Sequence, residues 1–361
     1  MLRFDRARLE ASPISAVDLF CGAGGLTHGL LRSGIRVEAG IDLDPAAAHA
    51  YSTNNASARF LQWDVGRKNY TSVEKLFDTD KYRLLAGCAP CQPFSKLTNG
   101  IEHHRSWDLL THFGRFVARI LPELVTMENV PELAQRGLDV FTAFVRTLKA
   151  NHYSVDCQVV NCADYGAPQT RKRLVLVASR LGAITVPKGK RSGRAARRTV
   201  RDAIGHLREL AAGEQDARDP LHLAAQLSPM NLRRIRATPH DGGTKDDWPH
   251  ALQLACHRRA TGSKYHSIYG RMRWDEPAPT MTTLCNGIGN GRFGHPEQDR
   301  AISLREAALL QTFPEGYDFW PRGEKVNAKA VARMIGNAVP PRLARALGDA
   351  LLDHVRRVEG R

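Results

Sequence analysis

The feature that most constrains the fold is the alternation of short apolar stretches with helix-like ones over the first 180 or so residues. Segments 16–20, 36–41, 59–63, 84–87, 124–127 and 173–178 read as strands, being short, apolar and bounded by turn formers. Between them, 26–33, 45–54, 109–120 and 138–149 carry apolar residues at helical spacing. This alternation predicts an α/β fold, with a mostly parallel sheet and helices on both faces. After about residue 182 the pattern stops. From there to about 290 the chain is irregular and rich in Arg, His, Gly and Pro, which predicts a smaller second domain built for contact. Helices are expected again at 304–311 and 342–357, the last returning to the first domain.

Charge narrows the partners. The chain has 52 Lys and Arg against 37 Asp and Glu, a formal net charge of +15 and a pI near 9.8. A surplus of this size points to a polyanion, DNA or RNA before a membrane surface. Residues 188–201, KGKRSGRAARRTVR, are a basic run that reads either as a nucleic-acid contact or as a solvated loop. No apolar run approaches the roughly 18 residues of a membrane span. The N-terminal MLRFDRARLEASP has no apolar core of a secretory signal. Seven scattered cysteines, an odd number, predict reduced thiols and a cytoplasmic, nucleoid-associated protein.

Two loops carry the candidate chemistry. DLFCGAGG, residues 18–25, ends the first strand in a glycine-rich turn, where backbone can approach a ligand closely. It is not the dinucleotide G-x-G-x-x-G form, because position 27 is Thr. Asp42 ends the second strand about 20 residues after the glycines, where a carboxylate takes ribose hydroxyls. Asp64, after the third strand, is placed for an adenine amino group. The second loop, GCAPCQPFS at 87–95, follows the fourth strand. Its Cys88 and Cys91 admit three readings: half of a zinc site, a redox dithiol, or a single nucleophile, Cys91, stiffened by Pro90 and Pro93. The remaining thiols, Cys21, Cys157, Cys162, Cys256 and Cys285, read as buried structural cysteines. Glu128, in the MENV of 127–130, is a carboxyl at a strand end and a candidate general acid. QTRKR at 169–173 is expected to set Arg171 and Arg173 on one face of an extended segment.

Together these segments resemble the cytosine C5 DNA methyltransferases. DLFCGAGG is similar to that family's first motif, GCAPCQPFS to its catalytic P-C-Q loop, MENV to its E-N-V and QTRKR to its Q-x-R-x-R. SLREAALLQTFP (303–314) and MIGNAVPP (334–341) are similar to its last two motifs. The six lie in family order across nearly the whole chain. Ala89 stands where many members have a second Pro, and Asp42 where a Glu is more usual.

The resemblance implies a Rossmann-like sheet of the class I methyltransferase kind, with S-adenosyl-L-methionine as cofactor and no metal. It implies that Cys91 attacks C6 of a flipped-out cytosine, that Glu128 donates to N3, and that Arg173, with Arg171, holds O2 and its developing charge. By motif, the cofactor is expected near Phe20, Gly22, Gly25, Asp42, Leu43, Asp64, Val65, Pro90, Leu109, Asn337, Ala338 and Val339. DNA contacts are expected from Gln169, from Thr280 in APTMTT, and from Arg271 and Arg292. The catalytic domain would be discontinuous, 1–182 with 329–361, around a target-recognition domain at 183–328. The expected partner is double-stranded DNA, bound by a monomer with no membrane role. A cognate restriction endonuclease of the same system is a further candidate partner. An RNA (tRNA) cytosine methyltransferase of the same layout is the alternative, and an inert nucleic-acid-binding regulator a remoter one that intact Cys91, Glu128 and Arg173 oppose.

Overall fold

The computed structural model describes residues 4–67, 69–90, 105–191, 193, 196–257 and 268–360. The chain divides into two compact units. The first holds 1–165, 172–190 and 338–361, and the second 166–171 and 191–337. The edges therefore fall at 165/166, 171/172, 190/191 and 337/338, rather than at 182/183 and 328/329. The chain crosses from one unit to the other within QTRKR and again within MIGNAVPP.

The first unit is built on a seven-stranded sheet of order β3-β2-β1-β4-β5-β7-β6. The strands are β1 (Ile14–Leu19), β2 (Arg36–Asp42), β3 (Arg59–Gln62), β4 (Tyr82–Gly87), β5 (Leu124–Asn129), β6 (Ser154–Asn161) and β7 (Lys172–Ser179). The first five run parallel, while β7 is antiparallel to both β5 and β6. β6 was not expected from the sequence. Apart from buried Val160 its residues are half-buried or exposed, as suits an edge strand, so SVDCQVVN lacks the continuous apolar signature of the inner strands. β1 is buried along its whole length between β2 and β4.

Alternation along β1 distributes its side chains between the faces. Val17 and Leu19 join the main core with Phe113, Phe116 and Val117 of the helix Arg105–Ile120, and Phe144 and Leu148 of the helix Leu138–Ala150. Asp18 turns the other way and accepts a hydrogen bond from Thr27, on the helix Gly25–Ser33. That helix packs against the C-terminal helix Pro341–Val358. Small residues permit the close crossing. A Cβ on Gly29 would lie 2.3 Å from Ala344 Cβ, and one on Gly348 would lie 2.2 Å from Ser33 Oγ. The last helix thus belongs to the first unit.

The second unit has short helices, among them Val200–Ile204, Pro229–Ala237, Leu304–Leu310 and Ala328–Asn337, joined by irregular chain. Buried charge helps to organise it. Arg300 and Glu306 form an ion pair at 2.7 Å with both side chains inaccessible, and Glu306 also completes the capping box of Leu304–Leu310 with Ser303. Among the described residues no helix is long and apolar enough to cross a membrane.

Candidate active site

Strand order reverses between β1 and β4, and open α/β sheets bind ligands outside the carboxyl ends of strands at such a point. Both candidate loops leave the sheet there, one after each of these strands. The first begins at Phe20, whose φ of 61° is left-handed, a strained conformation for a non-glycine residue. Gly22 (φ 50°) and Gly24 (φ 88°) complete the turn, and Gly24 caps the helix that starts at Gly25. A Cβ on Gly22 would meet nothing within 4 Å, so the turn opens onto free space.

Asp42 faces this turn. Its Oδ2 accepts Gly22 N–H at 2.8 Å and its Oδ1 accepts Asp44 N–H at 2.9 Å. Burial pushes its carboxyl up, and the backbone N–H groups of Asp44 and Gly22 oppose that shift without cancelling it. Leu43, next in the chain, is 60% exposed. Asp64 is half-buried, takes Gly66 N–H at 2.9 Å and lies 3.5 Å from Arg67. Leu109 is half-buried, Pro90 exposed and Ala338 half-buried. Val65 is instead part of the hydrophobic core and Val339 is buried, so neither presents open apolar surface. Asn337 is the last residue of the second unit, exposed at the end of its helix. Sequence reasoning passed over Asp18, which lies below the turn. Burial drives its carboxyl up to about 7 against the lowering effect of the Thr27 hydrogen bond.

The thiol loop is described as far as Pro90, and Cys91 lies outside the described residues. Its approach is defined. Gly87 sits beside Leu19 of β1, where a Cβ would come within 2.9 Å of Leu19 O. Asn129 Nδ2 donates to Ala89 O at 3.2 Å, and its Oδ1 accepts Val130 N–H at 2.7 Å, tying the loop to the end of β5. Glu128 is 3% exposed, with Oε1 3.0 Å from Arg173 Nε and Oε2 accepting from Cys88 Sγ at 3.0 Å. The structure therefore brings Glu128, Arg173 and the start of the Cys91 loop together at one sheet edge. Cys88 and Asn129 were missed as site residues. Their signal is the strand pairing, which is invisible in either segment alone.

Four expectations need correction. Arg171 and Arg173 do not share a face: the chain changes unit between them. Arg171 is buried in the second unit and donates to Met281 O at 2.7 Å and Gly336 O at 2.9 Å, so its guanidinium braces backbone carbonyls instead of facing a reacting base. Gln169 is fully buried. Its amide donates to Leu310 O at 2.8 Å and accepts Met281 N–H at 3.0 Å, which takes it out of reach of DNA. Arg271 is also fully buried, donating to the carbonyls of Ile235, Thr238, His295 and Gln298 and pairing with Asp299. Its cation organises the second unit from inside. Among the presumed structural thiols, Cys157 and Cys256 are exposed, while Cys21, Cys162 and Cys285 are buried. Thr280 and Arg292 remain half-buried, with Thr280 Oγ1 donating to Thr170 O at 3.0 Å. In the basic run, Arg197 and Arg198 are half-buried, and Arg194 lies outside the described residues.

Comparison with known proteins agrees with this arrangement. A prophage-encoded Escherichia coli chain of solved structure superposes with a TM-score of 0.73 at 22% identity, covering 95% of this chain and 99% of that one, and so has the same fold. The Type II methylase M.HgiDII of Herpetosiphon aurantiacus is 47% identical over 339 residues, 93% of this chain and 94% of its own. The Type II methyltransferase M1.HphI of Haemophilus parahaemolyticus is 31% identical over 344 residues, 94% and 87% of the two chains. The C-5 cytosine-specific DNA methylase family model matches residues 14–353. With a match over nearly its whole length and relatives this similar, the chain belongs to the C-5 cytosine-specific DNA methylases, which transfer a methyl group to cytosine in DNA.

Proposed function

We propose that this protein methylates C5 of a flipped-out cytosine in a specific duplex sequence, using S-adenosyl-L-methionine and a covalent bond from Cys91 to C6. The observation that carries the reading is the buried Glu128 carboxyl at the end of β5, set between the Arg173 guanidinium and the start of the Cys91 loop. An acid, a cation and a nucleophile are what C5 chemistry on cytosine requires. The ring is too electron-poor at C5 to take an electrophilic methyl unless C6 is first saturated.

The turn after β1 fits the cofactor. Free space at Gly22 suits close backbone approach, Asp42 offers carboxylate lone pairs for ribose hydroxyls, and exposed Leu43 offers an apolar surface for the adenine. By motif, Phe20, Gly25, Asp64, Val65, Pro90, Leu109, Asn337, Ala338 and Val339 are assigned to the same cofactor set. Bound there, S-adenosyl-L-methionine supplies a methyl group made electrophilic by its sulfonium.

The protein's own groups do the rest. The Cys91 thiolate adds to C6, and Glu128 gives its proton to N3 as negative charge develops on the ring. Arg173 holds O2 and stabilises the same charge. C5, now enamine-like, accepts the methyl group and then loses its proton to solvent; re-forming the C5–C6 double bond expels Cys91 as thiolate, and N3 returns its proton to Glu128. Because C6 cannot be reached inside a stacked duplex, the base leaves the helix first. The second unit is assigned to target recognition, with Thr280, Arg292 and the basic run as its candidate contacts. The protein would work in the cytoplasm on nucleoid DNA.

The test is methyl transfer from labelled cofactor to duplex DNA and to tRNA, with bisulfite sequencing of DNA from expressing cells. The reading expects a discrete methylated DNA sequence. Transfer to tRNA alone would make the RNA enzyme the correct assignment, and binding without transfer the inert regulator.

A further inference from the structure

β4 and β5 pair in parallel, with Gly87 beside Met127. One residue further on come Cys88, just past the end of β4, and Glu128, still within β5, and neighbouring residues of a parallel pair project to the same side. This brings Cys88 Sγ to 3.0 Å from Glu128 Oε2, as donor. Arg173 approaches Glu128 from β7 on the other side of β5, with Nε 3.0 Å from Oε1. The two contacts differ in kind. Among the described residues Oε1 has the charge of Arg173 close by but no aligned hydrogen bond, whereas Oε2 has a directed one.

We propose that Cys88 is a positioning residue for the proton donor, fixing the rotation of the Glu128 carboxyl about its last bond so that one oxygen stays aimed at the base. The proposal rests on the reading of Glu128 as that donor. The terminal torsion of a glutamate is broad and roughly two-fold, so an undirected charge leaves it loosely set. A hydrogen bond on the opposite oxygen breaks that symmetry. This role does not need Cys88 as a nucleophile, a metal ligand or a redox partner.

The experiment compares Cys88→Ala and Cys88→Val, which lack the donor, with Cys88→Ser, which keeps one, each alone and with Glu128→Gln. A thiol is a weak donor, but here it serves a buried charge, so loss of the donor should lower kcat by about three- to tenfold. KM for DNA and cofactor should stay within about twofold. Cys88→Ser should retain most of the rate. In the Glu128→Gln background, Cys88→Ala should cost nothing more, since the group it acts through is gone. The proposal is overturned if Ser and Ala are equally impaired, if KM rises as much as kcat falls, or if the Cys88 and Glu128 effects multiply. Near-normal turnover of Glu128→Gln alone is a different failure: it removes the proton-donor reading itself and this proposal with it.

Discussion

Replacing Arg300 by Met tests how the second unit is held together. Glu306 receives Arg300 at both oxygens, at 2.7 and 2.8 Å, and Ser303 N–H at 2.6 Å, with His295 Nε2 3.8 Å away. Burial pushes the Glu306 carboxyl up. The Arg300 hydrogen bonds and charge, aided by His295 and Ser303, outweigh this and hold it at about 2. Against an ordinary value of 4.5, and at about 1.4 kcal/mol per pH unit, that difference is worth about 3 kcal/mol of stability. Because the folded value is depressed, the contribution is complete above about pH 4.5 and is lost as pH falls through about 2. Arg300→Met leaves a buried carboxylate with its cation gone, which should cost about 3–5 kcal/mol at pH 7. Adding Glu306→Gln removes the stranded charge while keeping an acceptor for Ser303 N–H, and should recover more than half of that loss. Urea unfolding followed by tryptophan fluorescence measures both, since Trp274 packs edge-on against His295 in the same network. The reasoning is refuted if Arg300→Met costs under about 1 kcal/mol, or if the double variant is no more stable than the single one.

Three further outcomes are expected. Cys91→Ser should abolish methylation, and DNA carrying 5-fluorocytosine at the target should trap an adduct that peptide mapping places on Cys91, because fluorine cannot leave C5 as a proton does. An adduct on Cys88 would remove Cys91 from the mechanism. Replacing Arg194, Arg197 and Arg198 by Ala should weaken binding to all duplexes alike and lower the salt slope of Kd by roughly one per lost phosphate contact, leaving the methylated sequence unchanged. An unchanged slope would make the run a solvated loop. Gly29→Ala should destabilise the first unit by about 1–3 kcal/mol, because its Cβ would overlap Ala344 Cβ at 2.3 Å and Pro341 O at 2.5 Å. A variant as stable as the parent in thermal melts would mean that the two helices separate at no cost.

What sequence by itself determined was the local chemistry and its order. The glycine turn of 18–25, the carboxylate Asp42 at the end of β2 and the apolar strands are written in consecutive residues, because turn geometry and side-chain alternation act over a few positions. The order of the six motifs carried the family across the whole chain. Only the tertiary structure decided which polar groups are buried against backbone carbonyls. Arg171 and Arg173 are two residues apart, yet one braces carbonyls in the second unit while the other reaches Glu128 across β5 and β7. Arg271 and Gln169 read as DNA contacts from their residue types and are buried structural donors in fact. A guanidinium or an amide is equally suited to a phosphate, a base edge or a backbone carbonyl, so its role follows from the partner the fold supplies. The same holds for Cys88, whose link to Glu128, 40 residues on, exists only because β4 and β5 pair in one register. Such pairings are set by the packing of whole strands against a common core, and that packing is not encoded in any single segment.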